Sequence, residues 1–318
     1  MRDEESCRFR PPPSGRQVTW EVTRFCNLIC DHCCNYSGPD VDRRGEPPID
    51  VLKTTAAQLS NLGVTKVYFS GGEPLLKKGF LSLVEVIDTN NIRVNVATNG
   101  YHLSDSMVAR LRQAGVAKLS VSVDGGDAAH HDALRRRKGA FARTLSGIER
   151  AVAAGLKVGV SVTVTPANID TLETLLANLV SVGVPVVSFH SVLPVGRAVE
   201  HSNLFLDGKG TRKLDHIIRE LDSRQDLPIT IDHSFGPGGS RAARGCPAQA
   251  RLIHIDSFGN VSACSWLYKA QPDAFILGNI METSLQDIVD VRSQALETLL
   301  QKTDTCPLPI LTARMKPR

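Results

Sequence analysis

Short apolar segments alternate with longer amphipathic ones over the first two thirds of this 318-residue chain. The short segments are rich in valine and phenylalanine, as β-strands are, and the longer ones repeat apolar residues at helical spacing. Glycine, which readily adopts the left-handed backbone that ends a helix, stands before several strands, at positions 63, 115, 155 and 183. The pattern predicts a parallel α/β sheet with right-handed crossovers, curled as a partial (β/α)6 TIM barrel. The predicted strands are 17–23, 64–70, 92–97, 117–123, 156–164 and 184–192, and the predicted helices are 50–62, 78–90, 104–114, 140–154 and 168–182.

Polar residues alternate with apolar ones inside these strands. In segment 156–164 valine recurs at every second position, separated by glycine, serine or threonine, and a similar division places Ser120, Ser122 and His190 on the polar face of other strands. Strands covered by helices on both faces are normally apolar throughout, and a closed barrel fills its interior with branched side chains. The polar face therefore favours a wide lumen for a hydrophilic cofactor and substrate; the alternative is a sheet with one face in solvent.

The last third of the chain has a different pattern. A charged helical segment at 206–227 separates the barrel from short strands near 229–233, 251–256 and 260–264, which a helix around 284–300 follows. This mixture predicts a small C-terminal α+β domain. The predicted organisation is an N-terminal arm at 1–15, the barrel at 16–205, a linking helix at 206–227 and the small domain at 228–318.

Composition narrows the class of protein. A hydrophobic fraction of 42% is ordinary for a globular protein, and a net charge of +4 is too small to indicate a nucleic-acid partner. No apolar stretch approaches the roughly 20 residues that span a bilayer, and the first residues lack the apolar core of a signal peptide. We therefore expect a cytoplasmic protein without a membrane partner, whose eight cysteines serve as metal ligands rather than disulfides.

Cys26, Cys30 and Cys33 follow the first predicted strand with the spacing C-x3-C-x2-C. Three thiolates can hold three irons of a 4Fe–4S cube and leave the fourth iron without a protein ligand, whereas a structural zinc site uses four ligands. The segment Gly71-Gly72-Glu73-Pro74 follows the second strand. This ordered pair resembles the radical SAM superfamily, whose open iron binds S-adenosylmethionine (SAM). A zinc knuckle and incidental buried thiols are the alternatives.

The resemblance implies a set of SAM contacts. Gly71, Gly72, Glu73 and Pro74 would meet the amino group of SAM, and His32 occupies the place of a residue whose backbone meets adenine, with a surface histidine as the alternative. The ends of the next strands would contact ribose and carboxylate, and the end of the sixth would contact adenine. These positions are Thr98 and Asn99, Ser122 and Asp124, and Leu193.

A second cysteine set lies in the C-terminal region. Cys246, Gly259 and Cys264 match the opening of the SPASM motif in spacing, and Cys306 follows alone. The later SPASM cysteines are absent, so the region resembles the shorter Twitch form, which carries one auxiliary 4Fe–4S cluster. With three thiolates, either another residue completes the site or substrate binds the remaining iron. Buried structural cysteines are the alternative.

Four other side chains are candidates for the site. Cys34 adds a thiol beside the first triplet, where it is a candidate hydrogen-atom donor or a small buried residue. Arg135 resembles the arginine that reaches the SAM carboxylate in SPASM and Twitch proteins, and a solvated turn is the alternative. Glu21 and His190 should face the lumen, where they would contact substrate or act as a base.

The resemblance implies a radical SAM oxidoreductase or isomerase. It would bind SAM and two 4Fe–4S clusters, take electrons from flavodoxin or ferredoxin, and abstract a hydrogen atom from a polar small molecule such as an aminoglycoside, sugar or nucleoside. The resulting substrate radical would be oxidised or epimerised. A maturase of a ribosomally made peptide and a non-catalytic iron–sulfur or zinc protein are the alternative functions.

Overall fold

A computed structural model describes residues 15–224, 227–232, 246, 248, 251–291, 293–303 and 306–312. The predicted N-terminal arm, which includes Cys7, lies outside these residues except for Gly15. The strands are β1 (Arg16–Glu21), β2 (Val64–Ser70), β3 (Arg93–Thr98), β4 (Val116–Ser122), β5 (Val158–Val164), β6 (Val186–Ser191), β7 (Thr230–Asp232), β8 (Leu252–Ile255), β9 (Asn260–Ser262) and β10 (Ile276–Asn279).

The ten strands form one sheet in the order β10-β9-β8-β1-β2-β3-β4-β5-β6-β7. Strands β1 to β6 are parallel, as the sequence predicts. Strand β7, which the sequence placed in the C-terminal domain, is also parallel to β6 in this sheet. Strand β8 also runs parallel to β1, whereas β9 is antiparallel to β8 and β10 to β9. The C-terminal hairpin therefore extends the barrel sheet from its first strand, while β7 extends it from β6.

Helices connect the parallel strands and continue in the C-terminal region. The glycines at 63, 115, 155 and 183 all have positive φ, which confirms their predicted place before the next strand. None of the helices in the described part is long and apolar enough to cross a membrane. The helices are α1 (Ile49–Ala57), α2 (Phe80–Val84), α3 (Asp105–Gln113), α4 (Ala128–Arg135), α5 (Ala140–Ala153), α6 (Leu172–Ser181), α7 (Gly208–Ser223), α8 (Ser265–Ala270), α9 (Pro272–Phe275), α10 (Leu285–Val289), α11 (Gln294–Leu300) and α12 (Leu308–Thr312).

The sheet curls toward closure. Lys66 on β2 and Asp232 on β7 are five strands apart, which would be about 24 Å in a flat sheet. Burial lowers the pKa of Lys66, and the charge of Asp232 opposes this shift, so the two side chains interact across the interior. A Coulomb interaction weakens with distance, so an effect of Asp232 on Lys66 is expected only if the sheet curls to bring β7 toward β2. The curled α/β sheet confirms the predicted partial barrel.

The two faces of the sheet divide as the alternation predicts. The outer face packs under the helices, and Trp20 and Phe69 meet there with ring centroids 5.7 Å apart. Burial of each such side chain contributes about 1.5–3 kcal/mol to folding. Residues of the other face, such as Ser120, Ser161 and His190, are half-buried rather than packed. None of the outer-face residues in the following set is more than 1% exposed: Val18, Trp20, Val67, Phe69, Val94, Val96, Leu119, Val121, Val158, Val160, Val162, Val187 and Phe189.

Several predicted elements differ in length from the structure. The helix predicted at 78–90 is only α2, and the helix predicted at 284–300 is two helices, α10 and α11, each of which begins at its own serine cap. Helix α4 was not predicted. It has only eight residues, and its start depends on Asp127, whose side chain accepts a hydrogen bond from His130 N.

Candidate functional site

The turn after β2 lies against the loop after β1. Gly72 N donates to Thr23 O at 2.6 Å, and Glu73 N donates to Phe25 O at 2.8 Å. A Cβ on Gly71 would lie 2.4 Å from Thr23 O, and one on Gly72 would lie 2.1 Å from Phe25 O. Only glycine permits so close an approach of two backbones. The two segments singled out in the sequence are therefore brought into direct contact.

Cys26, Cys30 and Cys33 pack with Leu28 in the loop that follows β1. Backbone N–H groups point at two of the sulfurs: Leu28 N lies 3.4 Å from Cys26 Sγ, and Ser37 N lies 3.3 Å from Cys33 Sγ. Burial raises the pKa of Cys26 to about 12, so the free side chain is a neutral thiol. Binding of iron to such thiols releases protons and supplies the energy that deprotonation requires.

The thiols differ from a single-ion site in their arrangement. In the described part of the chain, no three His, Cys, Asp or Glu side chains form a group that could hold a single metal ion. Each thiolate of a three-cysteine 4Fe–4S site binds a different iron of the cube, so these thiols need not converge on one point. The loop thus fits the donor set of a cluster.

Glu73 joins the turn after β2 to the end of β3. Its side chain is fully buried and accepts hydrogen bonds from Leu75 N at 3.1 Å, Thr98 Oγ1 at 2.9 Å and Asn99 N at 2.8 Å. Burial raises the pKa of Glu73 to about 7, although these donors oppose the shift. Asn99 Nδ2 also lies 3.7 Å from Cys26 Sγ, so the structure brings Glu73, Thr98 and Asn99 beside the cysteine loop.

Asp124 and Arg135 form a buried ion pair at the end of β4. Arg135 Nη2 lies 2.6 Å and Arg135 Nε 2.8 Å from Asp124 Oδ2, and His32 Nε2 lies 3.4 Å from the same oxygen. Burial would raise the pKa of Asp124, but the charge of Arg135 holds it below its ordinary value. Arg135 Nη1 is 3.9 Å from Cys30 Sγ. Arg135 is buried and paired here, so its alternative placement in a solvated turn is wrong.

Unpartnered polar atoms surround these loops. The buried nitrogens His32 Nδ1, Asn27 Nδ2 and His131 Nε2 have no hydrogen-bond partner among the described residues. Burial lowers the pKa of His32 to about 4, so its ring is neutral. Buried polar atoms usually have partners, so such orphans mark places where a bound group would complete the site. Together with the two glycines and the thiols, they fit a polar cofactor bound beside a cluster.

Arg197 is a site residue that the sequence reasoning missed. Its guanidinium donates to Cys30 O and Ser37 O, each at 2.7 Å, and its N–H donates to Cys33 O at 2.9 Å. A Cβ on Gly196 would lie 2.4 Å from Cys33 O, so the segment after β6 also lies directly against the cysteine loop. Arg197 lies far from the cysteine loop in the sequence, so no motif spacing links it to the three cysteines.

Three other predicted residues lie at strand ends on the same side of the sheet. Ser122 pairs with Ser161 in the register of β4 and β5, and Leu193 accepts a hydrogen bond from Val195 N in the turn after β6. His190 is half-buried on the polar face opposite Thr163. The roles of these three residues remain predictions.

The second cysteine set also assembles. Cys246 and Cys264 pack against one small apolar cluster, together with residues of α12, which follows Cys306. Burial raises the pKa of Cys264, and nearby Cys246 and Cys306 add to this shift. Cys264 directly precedes α8, and the β8–β9 hairpin places it near Cys246 as predicted.

Glu21 has a different environment from the predicted open lumen. Its carboxylate pairs with the buried ammonium of Lys269 on α8 and lies 3.2 Å from His254 Nε2. His254 Nδ1 in turn lies 2.9 Å from Ser262 Oγ. Burial would raise the pKa of Glu21, but Lys269 and His254 lower it to about 2. Glu21 is thus an ion-pair partner between barrel and hairpin, which disfavours a role as a base.

Cys34 lies on the same side as this ion pair. Burial raises the pKa of Cys34 to about 12, while the charge of Lys269 opposes and that of Glu21 supports the shift. Its sulfur lies 3.4 Å from Asn35 Oδ1. Cys34 is therefore a neutral, half-buried thiol near the Glu21–Lys269 ion pair.

Two family models match the chain. The radical SAM superfamily model matches residues 20–192, and the SPASM iron–sulfur cluster-binding domain matches residues 246–308. The first match covers more than half of the 318 residues. Accordingly the first domain binds a 4Fe–4S cluster and SAM, and the second binds auxiliary iron–sulfur.

Relatives and solved structures agree with this assignment. The chain is 28% identical to the AdoMet-dependent heme synthase of Methanosarcina barkeri over 86% of this chain and 81% of that protein. It is 33% identical to the sporulation killing factor maturation protein SkfB of Bacillus subtilis over 85% of this chain and 63% of that protein. Streptococcus suis SuiB bound to S-adenosylmethionine shares the fold, with a TM-score of 0.74 at 16% identity over 93% of this chain and 72% of that one. From the match over residues 20–192, and in keeping with the contact of its cysteine and glycine loops, the chain belongs to the radical SAM superfamily.

Proposed function

We propose that this enzyme binds its SAM-cleaving cluster through Cys26, Cys30 and Cys33 and uses it to abstract a hydrogen atom from a polar small molecule in the lumen. The observation that carries the proposal is the direct contact between the cysteine loop and the Gly71-Gly72 turn. When bound, the cluster and SAM supply one-electron cleavage of a C–S bond and a carbon radical. The protein binds, orients and shields these groups.

Individual residues have distinct roles in this proposal. Glu73 would accept a hydrogen bond from the amino group of SAM, since Thr98 and Asn99 N hold its carboxylate in place by hydrogen bonds. Arg135 would reach the carboxylate of SAM, because its Nη1 is already directed toward Cys30. The neutral ring of His32 would lie beside adenine.

Replacement of Cys26, Cys30 and Cys33 with alanine tests the first cluster. We expect the triple variant to form no 5′-deoxyadenosine from SAM under dithionite, while wild type forms it. The variant should retain about four irons, held by the second cysteine set, against about eight in wild type. Continued SAM cleavage would contradict the first assignment, and loss of nearly all iron would contradict a cluster at Cys246, Cys264 and Cys306.

The substrate proposal is supported by the polar interior. Half-buried serine, threonine and histidine side chains lie along β4, β5 and β6, on the face of the sheet away from the helices. Such a surface suits a substrate with many hydrogen-bonding groups, such as an aminoglycoside, sugar or nucleoside. A flavodoxin or ferredoxin would supply the electron, and the auxiliary cluster would accept one from the substrate radical.

A second candidate function is maturation of a ribosomally made peptide. It is favoured by the 33% identity to SkfB, which is named a sporulation killing factor maturation protein. Incubation with candidate metabolites and with the precursor peptide encoded nearest to this chain's gene, followed by mass spectrometry, separates the two. A mass change confined to the peptide would reject the small-molecule proposal.

The fate of the substrate radical depends on whether the Cys34 thiol can donate a hydrogen atom to it. An epimerase needs a hydrogen donor on the opposite face of the substrate, and Cys34 is a neutral thiol, as such a donor must be. Because this thiol directly follows the proposed cluster ligand Cys33, it would not reach the far face of the substrate, and we propose oxidation rather than epimerisation. In deuterated water we expect an unlabelled product two electrons more oxidised than substrate, from wild type and from Cys34→Ala. A product carrying one solvent deuterium, lost in the variant, would assign Cys34 as the donor.

A further inference from the structure

Three cations line the polar face of β2, β3 and β4 near the amino-terminal ends of these strands. Lys66 pairs with Arg93 in the register of β2 and β3, and Lys118 pairs with Asn95 in the register of β3 and β4. Lys66 and Lys118 are half-buried, and Arg93 is exposed at the edge. The register therefore places three positive charges at one end of the lumen, opposite the end that carries the cysteine loop.

Among the described residues, these cations have little local neutralisation. Within the described ranges, no carboxylate lies at ion-pair distance from Lys66, Lys118 or Arg93. Burial lowers the pKa of Lys66, and the charges of Arg93 and Lys118 add to the shift, whereas Asp232 across the lumen opposes it. Like charges brought together in a half-buried place destabilise the fold, and such costs are tolerated mainly where function requires them.

A gap in the neighbouring strand accommodates one of the cations. Gly159 on β5 has no side chain, and a Cβ there would lie 2.7 Å from Lys118 Cε and 2.9 Å from Lys118 Nζ. The ammonium of Lys118 thus lies across β5, on the polar face. Glycine inside a strand weakens it, so its presence indicates that something must approach the backbone closely, and here it is the Lys118 side chain.

We propose that Lys66, Lys118 and Arg93 bind an anionic group of the substrate, either a phosphate or a carboxylate. This inference rests on the proposed function, because it adds a substrate class to the same lumen. Lys66 precedes Ser70, the last residue before the Gly71-Gly72 turn, by four residues. At about 3.3 Å per residue, the anionic group would lie about 13 Å from the SAM end of the lumen. The substrate would then be elongated, with its reacting carbon at one end and its charge at the other.

Two anionic probes distinguish a site for phosphate from a site for carboxylate. Uridine 5′-diphosphate carries phosphates, with uridine as its neutral counterpart, and coproporphyrin III carries carboxylates. Equilibrium dialysis would use the reconstituted enzyme with SAM and without reductant. We expect one probe to bind wild type at least about tenfold more tightly than it binds the double variant Lys66→Met with Lys118→Met, a difference of about 1.4 kcal/mol. Uridine should bind both proteins equally.

The matched control removes the same charge elsewhere. Arg110 and Arg112 are exposed on α3, and their joint replacement with methionine should leave binding of the probe unchanged. Gly159→Ala gives a second variant that keeps every charge but displaces Lys118, and it should weaken binding severalfold. Iron content and a thermal unfolding temperature close to those of wild type show that each variant is folded. Formation of 5′-deoxyadenosine under dithionite is measured with wild type and with the arginine control, which should be equal.

Two results would overturn the inference. One is wild type that binds neither anionic probe, and the other is a lysine double variant that binds the probe as tightly as wild type. Either outcome with normal 5′-deoxyadenosine formation rejects the anion site but leaves the proposed function standing. Absence of 5′-deoxyadenosine from wild type would instead reject the proposed function.

Discussion

Substitution of Gly72 by alanine should separate steric contact from backbone conformation at the SAM turn. The φ of Gly72 is not positive, so alanine can adopt its backbone, and any cost must come from the added methyl group. That group would lie 2.1 Å from Phe25 O, 2.6 Å from Phe25 C and 2.8 Å from Arg24 O. All three are backbone atoms, which cannot rotate away, so the two loops must separate.

The size of the effect follows from the contacts that would be lost. Overpacking of this kind costs about 1–3 kcal/mol. Separation of the loops also stretches the hydrogen bonds from Gly72 N to Thr23 O and from Glu73 N to Phe25 O, each worth about 1 kcal/mol. We therefore expect Gly72→Ala to lower the free energy of unfolding by about 3–5 kcal/mol. Displacement of Glu73 should also weaken SAM binding.

The assay combines thermal unfolding with SAM binding by equilibrium dialysis. Gly155→Ala is the matched control: Gly155 has φ +77° and no atom within 4 Å of the place that a Cβ would take, so only the left-handed backbone adds cost, about 1–2 kcal/mol. The control should lose some stability and bind SAM normally. A Gly72→Ala variant that unfolds at the wild-type temperature and binds SAM with the wild-type affinity would contradict the steric contact between the two loops.

Two further substitutions test other contacts of the site. Glu21→Gln leaves the Lys269 ammonium buried without its carboxylate, so we expect a loss of about 3–5 kcal/mol in chemical denaturation, partly restored by adding Lys269→Met. The pKa of Glu21 falls from 4.5 to about 2 on folding, so this carboxylate stabilises the wild type by about 3 kcal/mol above pH 4.5. This contribution is lost as the pH drops through 2, and it is absent in Glu21→Gln. Equal loss of stability in acid for both proteins would contradict this prediction. Arg197→Met removes two hydrogen bonds to carbonyls of the cysteine loop, and we expect faster loss of the cluster absorbance in air than in wild type or in Arg110→Met. An unchanged rate would show that Arg197 does not hold the loop.

Local sequence pattern was enough to predict the barrel. Strand β2 coincides with the predicted 64–70, since a strand bounded by Gly63 and the Gly71-Gly72 turn has clear ends. Helix α2 is shorter than its predicted 78–90, because the apolar Ile87 is buried in the connection after α2 rather than in the helix. The spacing of apolar residues indicates which side chains are buried, but a buried side chain need not lie in a helix.

The candidate site was predictable where its residues carry a spacing signal. Cys26, Cys30 and Cys33 and the Gly71-Gly72 turn meet as the sequence indicated. Arg197 and Lys269 were missed, because each acts through a contact more than 160 residues away along the chain. Such contacts depend on the finished tertiary fold, and a single sequence shows no trace of them.

The pairing of β1 with β8 has a consequence for how the chain is made. Strand β1 (Arg16–Glu21) needs β8 (Leu252–Ile255) as its neighbour on one side, and about 230 residues separate them. At about 5–20 residues per second, a ribosome takes about 12–46 s to synthesise that interval. During this time the edge of β1 that β8 will cover stays unpaired, and exposed edges are templates for aggregation. Contacts of such long range also slow folding. Maturation of the first cluster, whose loop begins just beyond β1, therefore competes in time with completion of the sheet beside it.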